Sequence, residues 1–402
     1  MPTQKFKVKQ DTSLDKISRL KTTGRSKLVE SSTRGSVKDM QDASQVLLPS
    51  DGQQRREKLL KAGNRQLYVP VISKDGRPLM PTSNWRANEL IEKGKALRRF
   101  KTGIFYIRLT GKTCRSVQPV ACGIDTGSKR EAFTVKSESH TYLNILSDAV
   151  TWVKDAVEVR RNMRRSRRFR NTPCRQNKSN KAKSPFPPST KARWQSKLRI
   201  INILSKLYPI TTYVVEDVAA RTRKGQRKWN VSFSPLETGK HWFYDELRKL
   251  GNLETKQGYE TKELRDAVGL IKCKSKMKVQ FDTHNIDSWV LANWYVGGHT
   301  KPDNTNLMHL IPIRFHRRQL HRFQPKEGIR LPYGGTISLG LKKGSLVKHE
   351  KYGVVYIGGN KDNRLSLHSL ETGTRLCQNA KTADITLLTY NTWRYNSFSS
   401  TI

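Results

Sequence analysis

The sequence predicts an α/β chain followed by a smaller β-rich module, on three observations. Short apolar runs ending in an acid alternate with helical periods between residues 119 and 296, the pattern of a sheet covered by helices. After about Leu310 the helical period gives way to short strands separated by Gly-Gly-Asn and Thr-Gly-Thr turns. Hydrophobic residues make up 35% of the 402 residues and aromatics 8%, enough for a buried core.

Residues 1–64 are rich in Lys, Ser, Thr and Gln without a sustained period, and predict a basic, disordered arm. Tyr68-Val69-Pro70-Val71-Ile72 then reads as a strand and Lys74-Asp75-Gly76 as a turn. Trp85, Leu90, Ile91 and Leu97 fall near helical spacing and predict a helix over 84–97; residues 104–109 alternate like a strand, completing a β-α-β module. The apolar run 119–124 ends in Asp125 and fits a buried strand, with a turn at Gly127 and a second strand over 132–135. A helix is expected over 148–159, running on into an arginine-rich segment, and 171–190 is a linker rich in Pro, Asn, Ser and Lys. A helix over 191–207 precedes the buried strand 211–215, which ends at Glu216, and further helices are expected over 242–250 and 286–296. Beyond Leu310 the strands 346–347, 354–357, 365–370 and 385–388 suggest a small barrel of the SH3 kind. No internal repeat is present.

The chain carries 77 Lys and Arg against 33 Asp and Glu, a formal charge of +44. So large an excess repels itself in a compact state, and a polyanion is the natural partner. Nucleic acid leads, because a DNA duplex offers a phosphate about every 1.7 Å of its axis. An acidic membrane is the rival, but no apolar run approaches the ~18 residues of a spanning helix, so no membrane partner is expected. Residues 1–10 lack the apolar stretch of a signal peptide. Five cysteines without a CxxC argue against a zinc ribbon, a redox pair or a disulfide framework, and for a reducing intracellular setting.

Arg160, Arg161, Arg164, Arg165, Arg167, Arg168 and Arg170 lie in one predicted helix, and residues 159–215 contain no acid at all. Solvated helix faces normally mix signs, so this segment is assigned to nucleic-acid contact. Arginine also favours bidentate phosphate contacts and base stacking. For Met163, Phe169 and Trp194, core packing is favoured over stacking on bases. Two weaker patterns are set aside. Gly111-Lys112-Thr113 resembles the end of a phosphate-binding loop, but the upstream glycine position holds Tyr106. His316 and His321 have no cysteine or carboxylate at ligand spacing for zinc.

In so basic a chain, an acid closing an apolar strand stands out. Asp125 and Glu216 both do so, where ligands gather in α/β sheets. His284 and Asp287, three apart at the start of an apolar helix, can face one centre. Three carboxylates with a histidine beside them suit one or two Mg²⁺ ions and phosphodiester hydrolysis. Each residue also has a bland explanation. Asp125 could cap a turn, Asp282 and Asp287 could favour a helix N-terminus, and His284 could be a satisfied polar group. Glu216 resists such an account, since a carboxylate beside Val214 and Val215 is costly without a partner. Asp217 is expected to face the other way in a structural role.

In this order the strings resemble those of the transposon-encoded IscB-like proteins. Pro78-Leu79-Met80-Pro81 matches their opening PLMP signature. Gly123-Ile124-Asp125-Thr126-Gly127-Ser128-Lys129 is similar to their first RuvC motif, Val214-Val215-Glu216-Asp217 to the second and His284-Asn285-Ile286-Asp287 to the third. The arginine run sits where these proteins carry a bridge helix. Arg317-Arg318-Gln319-Leu320-His321 and Tyr333-Gly334-Gly335-Thr336 resemble further family strings, so that the likeness spans about 67–394. The interval 217–283 has one histidine, His241, and one cysteine, Cys273, too little for an HNH insertion, which points to the IsrB branch. The arm before residue 64 departs from the family pattern.

The resemblance implies an RNase H-like (RuvC) core split by the bridge helix, an N-terminal PLMP module and a small C-terminal β-barrel-like domain. Its segments would be the arm 1–64, the PLMP module 65–115, RuvC part I 116–157, the bridge helix and linker 158–190, RuvC parts II and III 191–309, a basic connector 310–334, and a target-adjacent-motif-interacting domain 335–402. It implies an RNA-guided nickase, a monomeric ribonucleoprotein of the prokaryotic cytoplasm acting at the nucleoid. A guide ωRNA would pair with one strand of double-stranded DNA in an R-loop, and the displaced non-target strand would be cut. Asp125, Glu216 and Asp287 would hold two Mg²⁺ ions, with Mn²⁺ an accepted substitute, and His284 would act as general base on the attacking water or stabilise charge at the scissile phosphate. Alternatives are a RuvC-like junction resolvase without guide RNA, a guide-loaded DNA-binding protein without cleavage, and a basic RNA-coating protein, which leaves the carboxylates unexplained.

Overall fold

The apolar run around Asp125 forms a strand with every residue buried, and a seven-stranded sheet is built on both sides of it. The computed structural model describes residues 67–111, 116–171, 188–217, 237, 239–275, 277–313, 320–321, 332–333 and 337–398, all within the unit 60–402. The arm 1–64, most of the linker 171–190, and the strings at 317–319 and 334–336 lie outside the described residues.

The first module is a four-stranded sheet in the order β2-β1-β4-β3, formed by β1 (Tyr68–Ile72), β2 (Pro78–Ser83), β3 (Ala96–Lys101) and β4 (Ile104–Leu109). The Pro-Leu-Met-Pro string is itself β2, on the sheet edge where proline's missing N–H costs no ladder bond. Helix α1 (Asn84–Glu92) crosses the sheet and closes on a core of Val69, Val71, Ala87, Ala96 and Ile107. It ends earlier than its spacing predicts. Gly94 takes a φ of +66°, which turns the chain, so Leu97 falls in β3 rather than in the helix.

The central sheet runs β20-β10-β7-β6-β5-β8-β9. Its middle consists of β5 (Val120–Asp125), β6 (Arg130–Ser137) and β7 (Thr141–Asp148), joined as antiparallel neighbours. On the far side of β5 lie β8 (Thr212–Asp217) and β9 (Asn252–Gln257), both parallel to it. Three antiparallel strands followed by two parallel ones fit the expected RNase H-like core. β7 replaces the start of the helix expected from residue 148. Helix α2 (Val153–Phe169) carries the arginine run, and α3 (Pro188–Leu207) follows. Buried Trp194, Leu198, Ile201 and Leu204 of α3 share one apolar core with Phe133, Val135, Tyr213 and Val215 of the sheet. Lys197 of α3 forms a buried ion pair with Glu131 of β6 at 2.6 Å.

Helices α4 (Lys240–Arg248) and α5 (Gly258–Ala267) flank β9 and precede α6 (Phe281–Val296), which is buried along most of its length. α6 lies on the opposite sheet face, at Gly123. A Cβ there would come within 1.8 Å of the Ser288 carbonyl oxygen, so glycine is what allows helix and strand backbones to meet. Polar anchors fix the pose: Asn285 Nδ2 donates to the Ile145 carbonyl at 3.0 Å and Trp289 Nε1 to Thr141 Oγ1 at 2.9 Å.

Strand β10 (Leu307–Pro312) joins the sheet beside β7, crossing the boundary at 309/310 drawn from the sequence. Two short ribbons follow, β11 (Leu320–His321) with β12 (Pro332–Tyr333) and β13 (Ile337–Ser338) with β14 (Leu341–Lys342). The C-terminal module is a five-stranded antiparallel sheet of β15 (Leu346–His349), β16 (Gly353–Lys361), β17 (Arg364–His368), β18 (Arg375–Ala380) and β19 (Ile385–Thr389), ordered 18-17-16-15-19. Val347, Val355, Ile357, Leu365 and Leu367 form its core. The chain then leaves this module. β20 (Trp393–Phe398) pairs antiparallel with β10, so the residues after the small sheet belong to the central one. Among the described residues no helix is long and apolar enough to cross a membrane.

Candidate active site

Asp125 ends β5, Glu216 stands one residue from the end of β8, and His284 and Asp287 lie in the first turns of α6. β5 and β8 run parallel side by side, which places the two acids at neighbouring strand ends. The close approach at Gly123 lowers α6 onto them. Asp125 is 6% exposed and Asp287 2%, so both acids sit in a medium that strengthens every charge around them. His284 Nδ1 stands 3.4 Å from Asp125 Oδ2.

The electrostatics of the pair Asp125 and Glu216 are unequal. Burial pushes the Glu216 carboxyl up to about 9, and the negative charges of Asp125 and Asp287 add to the push. Glu216 is therefore protonated at neutral pH and donates a hydrogen bond to Asp125. Burial also opposes the charge on Asp125. Hydrogen bonds from His284 and Glu216 and the charge of Lys272 outweigh it, holding Asp125 below the ordinary carboxylate range.

Two cations that nothing in the sequence singles out stand beside these residues. Arg265 of α5 donates to Asp287 Oδ1 at 2.6 Å, and Lys272, in the loop before α6, donates to Asp287 Oδ2. Burial works against the Lys272 charge, but Asp287, Asp125 and Glu216 together hold its ammonium above the ordinary lysine value. With Asp287 engaged in this way, no three histidine, cysteine or acidic groups among the described residues converge at metal-ligand distance. The donor chemistry nevertheless fits a hard divalent cation. Glu216 lies near enough to Asp125 and Asp287 to feel both charges, and burial together with those charges keeps it neutral.

Asp217 has the structural role expected of it. Its Oδ1 accepts from Lys240 Nζ and Tyr244 OH, both at 2.9 Å, and its Oδ2 from Gln257 Nε2 at 2.8 Å. The fate of the aromatics beside the arginines differs from expectation. Trp194 is buried in the core, whereas Met163 is 57% exposed and Phe169 91% exposed on α2. Arg161, Arg164, Arg165, Arg168 and Arg170 are also exposed and Arg167 half-buried, so the helix presents its charge to solvent; the Arg160 side chain lies outside the described residues. His241 of α4 packs its ring near Tyr244.

The family described as RRXRR protein matches residues 69–231, which contain the first module, Asp125, the arginine helix and Glu216. No curated protein matches the chain. Solved structures similar to it include the RuvC of T. thermophilus in complex with a Holliday junction substrate, at 11% identity over 45% of this chain and 98% of that one, with a TM-score of 0.25. The yeast mitochondrial Holliday junction resolvase Ydc2 is similar at 14% identity over 45% of this chain and 80% of that one, with a TM-score of 0.24. Scores that low leave the fold to be argued from this chain's own strand order.

Proposed function

We propose that this chain is a RuvC-type, Mg²⁺-dependent DNA nickase guided by RNA, of the IsrB kind. The observation that carries the nuclease part is the placement of Asp125 and Glu216 at neighbouring strand ends beneath His284 and Asp287 of one helix, with Glu216 held neutral by burial and by the charges of Asp125 and Asp287. Asp125, Glu216 and Asp287 would hold the metal, two Mg²⁺ ions with Mn²⁺ as substitute. The bound metal supplies an activated water and neutralises charge at the scissile phosphate. His284, with Nδ1 turned to Asp125, takes the proton of the attacking water at Nε2, and the Asp125 carboxylate orients the ring and stabilises its cationic form. Glu216 would give up its proton on holding such a cation, and would be a full donor only then.

The exposed arginine helix supports a nucleic-acid partner, since its arginines outnumber the two acids of its first turns, Asp155 and Glu158, and no acid follows before Glu216. Within 217–283, α4, β9 and α5 already occupy 240–267 as neighbours of the central sheet, which supports the reading that no HNH nuclease is inserted. The segments 65–115, 116–157, 158–190, 191–309, 310–334 and 335–402 are proposed as the PLMP module, the parts of the nuclease with its bridge helix, the connector, and the domain that reads the flanking motif. Residues 393–398 are assigned to the nuclease sheet instead of that last domain.

The test is to express the chain with its neighbouring locus, sequence the RNA that copurifies, and assay a matched duplex with Mg²⁺ and with EDTA. One nicked strand, dependent on RNA and metal and absent in Asp125→Ala, is expected. Cleavage of both strands would overturn the nickase assignment. Cleavage of branched DNA without RNA would favour the resolvase reading.

A further inference from the structure

We infer that Lys272 is a built-in counter-ion of the acid cluster, occupying Asp287 in the metal-free chain and leaving it when a divalent cation binds. The inference rests on the metal-site reading above and assigns a role to a residue outside the ligand set.

The groups around Asp287 differ in their freedom to move. Asp287 itself is on α6, whose pose is set by Gly123, Asn285 and Trp289, and its side chain is buried. Arg265 belongs to a regular helix and its side chain is 14% exposed. The Lys272 side chain is 31% exposed and comes from a loop whose backbone is tied to α6, Cys273 N donating to the Asp282 carbonyl at 2.8 Å. The backbone thus stays in place while the four-carbon stem can swing outward, carrying a compact and readily hydrated charge. The charge of Lys272 is also among the main influences on Asp125 and Glu216. It therefore neutralises the whole cluster from a position on one of the oxygens a metal would need.

The arrangement explains why the acids can fold together before any metal arrives. A single ammonium offsets part of their repulsion, and a proton on Glu216 offsets more. It also implies competition. A cation entering the cluster has to take Asp287 Oδ2 from Lys272, so the lysine lowers the apparent affinity. Releasing one charge-assisted hydrogen bond corresponds to about tenfold in binding.

Mn²⁺ titrated calorimetrically into the full-length chain, without nucleic acid, separates the possibilities. Lys272→Met and Lys272→Gln are expected to bind about tenfold more tightly than the wild-type chain, to melt lower in EDTA, and to gain more melting temperature from the metal. Amine-reactive labelling read by mass spectrometry gives a second measurement on the unaltered chain. Lys272 is expected to become more reactive when Mn²⁺ is added, while Lys240, held by Asp217 and Glu237, is unchanged. Unchanged or weaker binding in both variants, or labelling of Lys272 that stays constant or falls with metal, would overturn the inference. Failure of the wild-type chain to bind Mn²⁺ any better than Asp125→Asn would instead sink the metal-site reading itself.

Discussion

Replacing Glu216 with glutamine should remove a specific slope from the pH dependence of stability. In the folded, metal-free chain the Glu216 carboxyl sits at about 9, against 4.5 for its ordinary value. Between those limits the folded state holds a proton that the unfolded state has released. Stability from this group is thus fully present below pH 4.5 and is lost as pH rises toward 9. Each pH unit inside the window corresponds to about 1.4 kcal/mol at most, so about 3 kcal/mol disappears between pH 6 and pH 8. For a unit of this size that is about 5 °C in melting temperature. Glutamine keeps the shape and the donor toward Asp125 but has no proton to lose.

Other buried groups titrate as well, and the comparison cancels them. Burial holds Lys136 down at about 8, so the folded chain lacks a proton there that the unfolded chain keeps, and stability rises with pH above that point. Both proteins share this term, so it drops out of the difference between them. The assay is a thermal melt in EDTA at pH 6, 7 and 8 for the wild-type chain and Glu216→Gln. A wild-type loss that is much reduced in the variant is expected, and Mg²⁺ should flatten the wild-type curve by taking over the role of the proton. Equal slopes for the two proteins would refute the assignment of a proton to Glu216.

Gly123→Ala should destabilise the chain by about 3 kcal/mol or more and lower soluble yield, because its Cβ would meet the Ser288 carbonyl and the helix backbone cannot yield cheaply; a denaturant melt reads this directly. Lys197→Met should remove about 3–5 kcal/mol by leaving Glu131 charged and buried, with part of the loss restored by adding Glu131→Gln, as chemical denaturation of the single and double variants will show. Replacing Arg164, Arg165 and Arg168 by alanine should weaken RNA binding and flatten the log–log salt dependence by about two units, measured by filter binding across a salt series. Thermal stability should barely change in that triple variant, since all three side chains are exposed.

The elements that set the site were legible because each has a local signature. An apolar run closed by an acid marked β5 and β8, and the apolar stretch after His284 marked α6. β7 escaped because its buried positions include Thr141, Asn144 and Ser147, so no polar–apolar alternation marks it. Asn144 is satisfied through the Asn304 carbonyl at 2.8 Å, a partner that only the folded chain supplies. The return of residues 393–398 to the central sheet was hidden for a related reason. A strand's text does not say which sheet it joins, and its partner β10 lies on the other side of a whole module. Lys272 and Arg265 read as two more basic residues among 77, and their meaning comes from facing Asp287. Exposed Met163 and Phe169 show the converse, apolar residues whose sequence setting suggested a core but whose side chains the structure leaves in solvent.

Glu216 and Asp217 put the functional argument in its sharpest form, because they are neighbours on one strand in a chain with a surplus of 44 positive charges. Asp217 meets Lys240, Tyr244 and Gln257, which together outweigh its burial and hold it below the ordinary carboxylate range. An acid matched in this way has its lone pairs committed and little to offer a metal ion. Glu216 is buried and feels two other acids, and the charge of Lys272 does not outweigh them, so it is neutral at physiological pH. In so basic a protein, supplying one more cation to that position would be easy for any fold that needed only stability. Asp217→Asn should accordingly lower stability by about 2 kcal/mol while leaving Mn²⁺ binding intact, whereas Glu216→Gln should abolish tight Mn²⁺ binding and spare the fold. If the two variants lost stability alike and bound metal alike, the distinction between a structural acid and a ligand would fall, and with it the placement of the active site.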